Sequence, residues 1–70
     1  MKTLKNAPYL MTVICNIQNM NRYIHGKVYD STKEFKKLEK LTEDQLYTMQ
    51  ENLIPEYNNA VKIQNQPTQA

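Results

Sequence analysis

The sequence has few of the residues that usually carry chemistry in a small protein. Its 70 residues include one cysteine, one histidine, one glycine and no tryptophan. A single cysteine excludes a disulfide within the chain, and the two soft ligands Cys15 and His25 fall short of the four that a structural zinc site needs. One glycine cannot build the glycine-rich loop that cradles a nucleotide phosphate. We therefore predict no metal and no cofactor.

Catalytic groups are also scarce, and those present have simpler explanations. Cys15 lies nearly three helical turns before His25, so the two side chains cannot meet within one helix. The neighbouring carboxylates Glu43 and Asp44 suit the first turn of a helix, where the helix dipole favours negative charge. We predict that the protein is not an enzyme, and that Cys15 is a small buried hydrophobic residue.

Long hydrophobic runs are missing as well. No stretch approaches the roughly 18 continuous apolar residues of a membrane helix, and no signal-peptide cleavage pattern follows the basic start at Lys2 and Lys5. A lone cysteine fits a reducing compartment, so we expect a cytoplasmic protein that does not enter a membrane. A chain of this length forms one domain with a thin margin of stability, roughly 3–5 kcal/mol, which a second copy of the chain could supplement.

The densest apolar run, Pro8 to Ile24, organises the rest of the chain. It predicts a first helix from about Ala7 to His25, with Asn6 as its N-cap and Gly26 as the left-handed residue at its end. Residues 9–17 also alternate between apolar and polar positions, so a strand remains the alternative there. The helix is favoured because apolar residues recur at three- and four-residue steps, at Leu10, Val13, Ile14, Ile17, Met20 and Ile24.

Capping signals predict two more helices. The second runs from about Thr32 to Lys40, behind an N-cap at Asp30 or a capping box that begins at Ser31. The third begins at Glu43, behind a capping box of Thr42 and Gln45. Its apolar stripe continues in register past Pro55, which predicts a kink and not a stop.

The predicted fold is therefore all-α, with three helices joined by short loops. We expect residues 1–63 to form one helical domain and residues 64–70, which are polar and lack an apolar anchor, to form a disordered tail. The first helix lies between the other two or pairs with a copy of itself.

Positive charge is concentrated in the first 40 residues, which hold eight basic and three acidic side chains. Four lysines of the second helix, spaced to share one face, are its strongest feature. Together with nearby groups they form the predicted partner-binding set: Lys33, Lys36, Lys37, Lys40, Arg22, Lys27 and Tyr29. Such a face is either simply solvated, or binds an acidic protein surface, or binds nucleic acid. The nucleic-acid interpretation is weakened by the single arginine, since bidentate reading of bases favours arginine.

The sequence thus favours a small non-catalytic regulator or inhibitor that docks on another protein with an acidic surface, and that can pair with itself as a homodimer. Small single-domain chains rich in asparagine and lysine are often phage or mobile-element factors that inhibit a host protein, which sets this expectation. The alternative is a nucleic-acid-binding regulator that uses the lysine face of the second helix.

Overall fold

A computed structural model describes residues 1–65 and confirms the all-α prediction. It contains α1 (Leu10–His25), a short 3₁₀ turn (Gly26–Val28), α2 (Ser31–Leu38) and α3 (Glu43–Asn65). No strand occurs within residues 1–65, so the strand alternative for residues 9–17 is wrong. The first two residues of the predicted tail, 64 and 65, still belong to α3, and residues 66–70 lie outside the described residues.

α1 lies between the other two helices, as predicted, and packs against both of them. It runs parallel to α3, because Tyr9 hydrogen-bonds Glu43 where both helices begin, and Tyr23 meets Tyr57 farther along. The rings of this tyrosine pair pack edge to face with centroids 5.3 Å apart. α2 runs back antiparallel along the opposite side of α1, where the Gln18 amide donates to the Ser31 carbonyl at 2.7 Å.

The core is small and draws on all three helices. α1 contributes most of it, because its apolar stripe faces both neighbours, while α2 and α3 contribute Leu38 and Leu46. Partly buried side chains close the cluster around its edge, including Phe35 of α2 and Leu53 of α3. The buried apolar residues are Ala7, Leu10, Val13, Ile14, Ile17, Leu38 and Leu46.

The N-terminal residues form a turn instead of the predicted cap. Asn6 accepts a hydrogen bond from the Thr3 amide at 2.8 Å, and α1 begins only at Leu10, with no side-chain cap at Tyr9. The predicted cap at Asn6 is wrong because its oxygen closes the preceding turn, too early in the chain to reach the first amides of α1. Leu4 packs on the core and so fixes these N-terminal residues against the helices.

Most of the other predicted helix ends are confirmed. Gly26 ends α1 with a φ of 64°, a conformation that favours glycine. Asp30 is the N-cap of α2, since its side chain accepts from the Lys33 amide at 3.1 Å. Thr42 and Gln45 form the predicted capping box of α3, with distances of 3.0 and 3.3 Å. α3 continues through Pro55 without a break.

Candidate interaction surfaces

Three lysines on the outer face of α2 and one in the turn after it form a basic strip: Lys33, Lys36, Lys37 and Lys40. All four side chains are exposed. Two acidic residues of the same segment are held in structural contacts, because Asp30 caps α2 and Glu34 accepts a hydrogen bond from the Asn21 amide of α1. The third, Glu39, is half-buried and lines a groove beside Lys40. The bond from Asn21 also explains why no capping box forms at Ser31, since Glu34 would have to turn back toward the start of α2.

The remaining members of the predicted partner-binding set lie at the N-terminal end of the basic strip. Arg22 and Lys27 are exposed there. An open groove of about 360 Å³ separates α2 from the end of α1, and its walls include Val28, Tyr29 and Lys33. Val28 is 85% exposed, so an apolar side chain stands beside the lysines.

Tyr29 packs at the junction of α1 and α2 and offers little exposed surface to a partner. Its ring is half-buried, and its hydroxyl is enclosed without a hydrogen-bond partner in the described part of the chain. Burial is the main cause that raises the pKa of Tyr29, and the nearby charge of Glu34 adds to it, whereas Gln18 and Arg22 act in the opposite direction. The groups around this hydroxyl thus belong to the junction of α1 and α2.

The structure brings the predicted residues to one side of the molecule and keeps them apart from the acidic helix. α2 packs on α1, and α1 separates it from α3, which carries Asp44, Glu51 and Glu56 on exposed positions. Packing therefore does not place the lysines against the carboxylates of α3. At the other end of the basic strip, Lys5 lines a groove together with Lys40 and Glu39.

A second surface was not predicted. Between α1 and α3, on the side away from α2, lies an open groove of about 270 Å³, which we call the neutral groove. No charged side chain lines it. Its walls are formed by Asn16, Asn19, Met20, Gln50, Ile54 and Tyr57. Tyr47 lies seven residues before Ile54, on the same face of α3.

Two large side chains of α3 are exposed along the neutral groove. Ile54, which lines it, is 42% exposed, and Tyr47, on the same face of α3, is 43% exposed. Gln50 presents the opposite feature: its side-chain oxygen is enclosed and has no hydrogen-bond partner within the described residues. One feature of the sequence indicates the neutral groove, because α1 carries no charged residue before Arg22. The partner side chains on α3 could be identified only once the helices were placed.

Of the two reactive side chains of α1, Cys15 lies outside both surfaces, whereas His25 lines the groove between α2 and the end of α1. Cys15 is exposed, so the prediction of a buried cysteine is wrong. It follows Ile14 directly, and a rotation of about 100° per residue turns it away from the core. His25 is exposed at the end of α1. Residues 1–65 contain no group of three histidine, cysteine or carboxylate side chains that could hold a metal ion.

Comparisons with known proteins leave the two surfaces as the basis for function. No family model, no curated protein and no solved structure matches the chain. Within the part of the chain that the structure describes, every helix is too short or too polar to span a bilayer. The basic strip and the neutral groove are therefore the two surfaces that can indicate a function.

Proposed function

We propose that the protein is a small non-catalytic regulator that docks through its basic strip on an acidic surface of another protein. The supporting observation is the excess of exposed positive charge on α2 and the turn after it, where four lysines are exposed, Asp30 and Glu34 are held in structural contacts and Glu39 is half-buried. Complementary charge accelerates encounter and fixes the orientation of two partners more than it adds affinity. The regulatory effect would then come from covering the partner's surface.

A protein partner fits the surroundings of the basic strip better than nucleic acid does. Val28 offers an exposed apolar contact beside Lys33, and apolar contacts at the centre of an interface supply much of the binding energy between proteins. The chain contains one arginine, Arg22, whereas direct reading of bases relies mainly on arginine. The strip is also short, about 12 Å along the eight residues of α2.

Affinity capture with charge-reversal variants tests this proposal. The full chain is immobilised, and nuclease-treated lysate of the source cells is passed over the wild type and over the double variant Lys33→Glu, Lys37→Glu. The matched control, Lys2→Glu with Lys62→Glu, makes the same change of charge at exposed lysines outside α2. A partner with an acidic surface should be lost with the α2 variant and kept with the control. Equal capture by both variants would contradict the proposal.

Nucleic acid is the second candidate, because Lys5 lies across a groove from Lys40 and adds a fifth exposed lysine near the basic strip. Four phosphate contacts should lower affinity for a duplex roughly 100-fold between 50 and 200 mM salt. Fluorescence anisotropy with a labelled mixed-sequence duplex and a single strand measures this directly. Binding that follows this salt dependence and disappears with Lys33→Glu, Lys37→Glu would favour nucleic acid, and absence of binding at both salt concentrations would leave the protein partner.

A further inference from the structure

We infer that a second copy of this chain covers the neutral groove, so that α1 and α3 of two copies form a symmetric four-helix interface. The inference does not depend on the proposed function, because the groove and the basic strip lie on opposite sides of α1. Two observations support it: large side chains are exposed along the groove, and no charged side chain lines it.

The composition of the groove is that of an interface and not that of a solvated face. Buried centres of protein interfaces are enriched in tyrosine and methionine and depleted of charged residues. The neutral groove contains Met20, Ile54 and Tyr57, and the exposed Tyr47 continues it along α3. About 23% of the residues in the chain are charged, yet none of them lines this groove.

Charge complementarity favours a second copy as the occupant. In a two-fold dimer the same patch meets itself, so a suitable patch cannot carry a strong charge of one sign. The basic strip would repel its own copy, and the opposite flank of α3 would set Asp44 and Glu56 against the same carboxylates. The neutral groove alone among these three surfaces meets its copy without such repulsion.

The polar groups of the groove are also self-complementary. An amide both donates and accepts, so Asn16, Asn19 and Gln50 can pair with the same residues of a second copy. Covering the groove would therefore bury apolar surface while its exposed amides keep hydrogen-bond partners.

The size of the molecule is compatible with this interface. A stable interface buries about 800 Å² on each partner, which is about 15% of the 5377 Å² surface of this chain. α1 offers 16 residues of helix, about 24 Å, and the longer α3 lies beside it. A core of seven buried apolar residues is small, and natural chains of this length often gain stability from a second subunit.

Sedimentation equilibrium of the full chain tests the inference. The wild type should approach twice its mass of 8.3 kDa as its concentration rises from micromolar to millimolar. Asn16→Lys would set two cations into the uncharged interface and should weaken dimerisation at least about tenfold. The control Asn52→Lys makes the same exchange on the opposite flank of α3, where Asn52 is exposed, and should dimerise like the wild type.

Circular dichroism checks that the variants fold. A second variant, Asn19→Lys, shows whether the effect is confined to position 16. Asn16 and Asn19 are exposed, and lysine forms helix better than asparagine, so Asn16→Lys and Asn19→Lys should keep the helical content of the wild type. Agreement between the two variants would support the interface. A wild type that stays at 8.3 kDa at every concentration, or variants that dimerise as strongly as Asn52→Lys, would overturn it.

Discussion

Two hydrogen bonds that join the helices of this protein run from a neutral side chain to a carboxylate. The Asn21 amide donates to Glu34, and the Tyr9 hydroxyl donates to Glu43. The first of these bonds fastens α2 to α1, and the second fastens the start of α1 to the start of α3. Because hydrogen bonds to charged groups are stronger than bonds between neutral groups, these contacts position the helices while adding little apolar burial.

The contact between Tyr9 and Glu43 predicts a loss of stability at high pH. The pKa of Tyr9 is raised from 10.0, chiefly by its hydrogen bond to Glu43. The folded state therefore holds the phenolic proton more tightly than the unfolded state, so this contribution is complete below pH 10 and is lost as the pH rises through the folded pKa. The free energy of unfolding of Tyr9→Phe, measured with urea, should therefore fall less steeply above pH 10 than that of the wild type.

A matched substitution separates this effect from the general loss of stability in alkali. Tyr47 is exposed, and no hydrogen bond of its hydroxyl occurs within the described residues. Tyr47→Phe should therefore show the same alkaline decline as the wild type. If Tyr9→Phe and Tyr47→Phe declined in parallel with the wild type, the contact would not contribute to stability.

Single residues could be predicted where their role is local. Gly26 and the box of Thr42 and Gln45 act within a few residues of their own position, so the sequence identifies them. Asn6 and Cys15 were assigned wrongly because their surroundings depend on where α1 begins and on which way each position faces. Residue type alone does not determine either property.

α3 continues through a proline that a helix interior normally disfavours. Pro55 removes one backbone hydrogen bond and crowds the carbonyl four residues earlier, at a cost of about 3 kcal/mol. The helix persists because Leu46, Met49 and Leu53 pack against the core before the proline, and Tyr57 contacts Tyr23 after it. Tertiary packing thus outweighs local propensity along this helix.

Replacing this proline should stabilise the fold. Pro55 is exposed, so Pro55→Ala restores the backbone N–H without opening a cavity and should raise the free energy of unfolding by about 1–3 kcal/mol. Chemical denaturation followed by circular dichroism measures the change. Pro8→Ala is the control, since Pro8 is exposed and precedes α1, and it should change stability little. A loss of stability in Pro55→Ala would mean that the proline sets the direction of the second half of α3.

Helix positions could be predicted from periodicity, but the pairing of helices could not. Apolar spacing located α1, and capping signals located α2 and α3, although α1 begins three residues later than expected and α2 ends two residues earlier. The parallel course of α1 and α3 depends on contacts between distant residues, such as Tyr23 with Tyr57. The neutral groove arises from this pairing, so the sequence alone pointed only to the basic strip.

The two surfaces together describe a molecule with separate faces for two kinds of contact. The chain is elongated, about 52 × 21 × 14 Å, with the basic strip on one side of α1 and the neutral groove on the other. A dimer formed through the neutral groove would leave both basic strips exposed on its outer sides. It would then present two strips that face away from each other and can contact two separate acidic chains at once.

Such a dimer should bind a dense layer of flexible acidic chains more tightly than a sparse one. At high density a second chain can reach the opposite strip, and this contact becomes intramolecular once the first has formed. Surface plasmon resonance on immobilised polyglutamate at high and low density measures the difference. The wild type and Asn52→Lys should dissociate at least about tenfold more slowly from the dense surface, a modest part of the gain that two linked sites can give. Asn16→Lys carries the same charge as Asn52→Lys but should dissociate at one rate from both surfaces. Equal density dependence in the two lysine variants would show that the basic strips do not act as a pair.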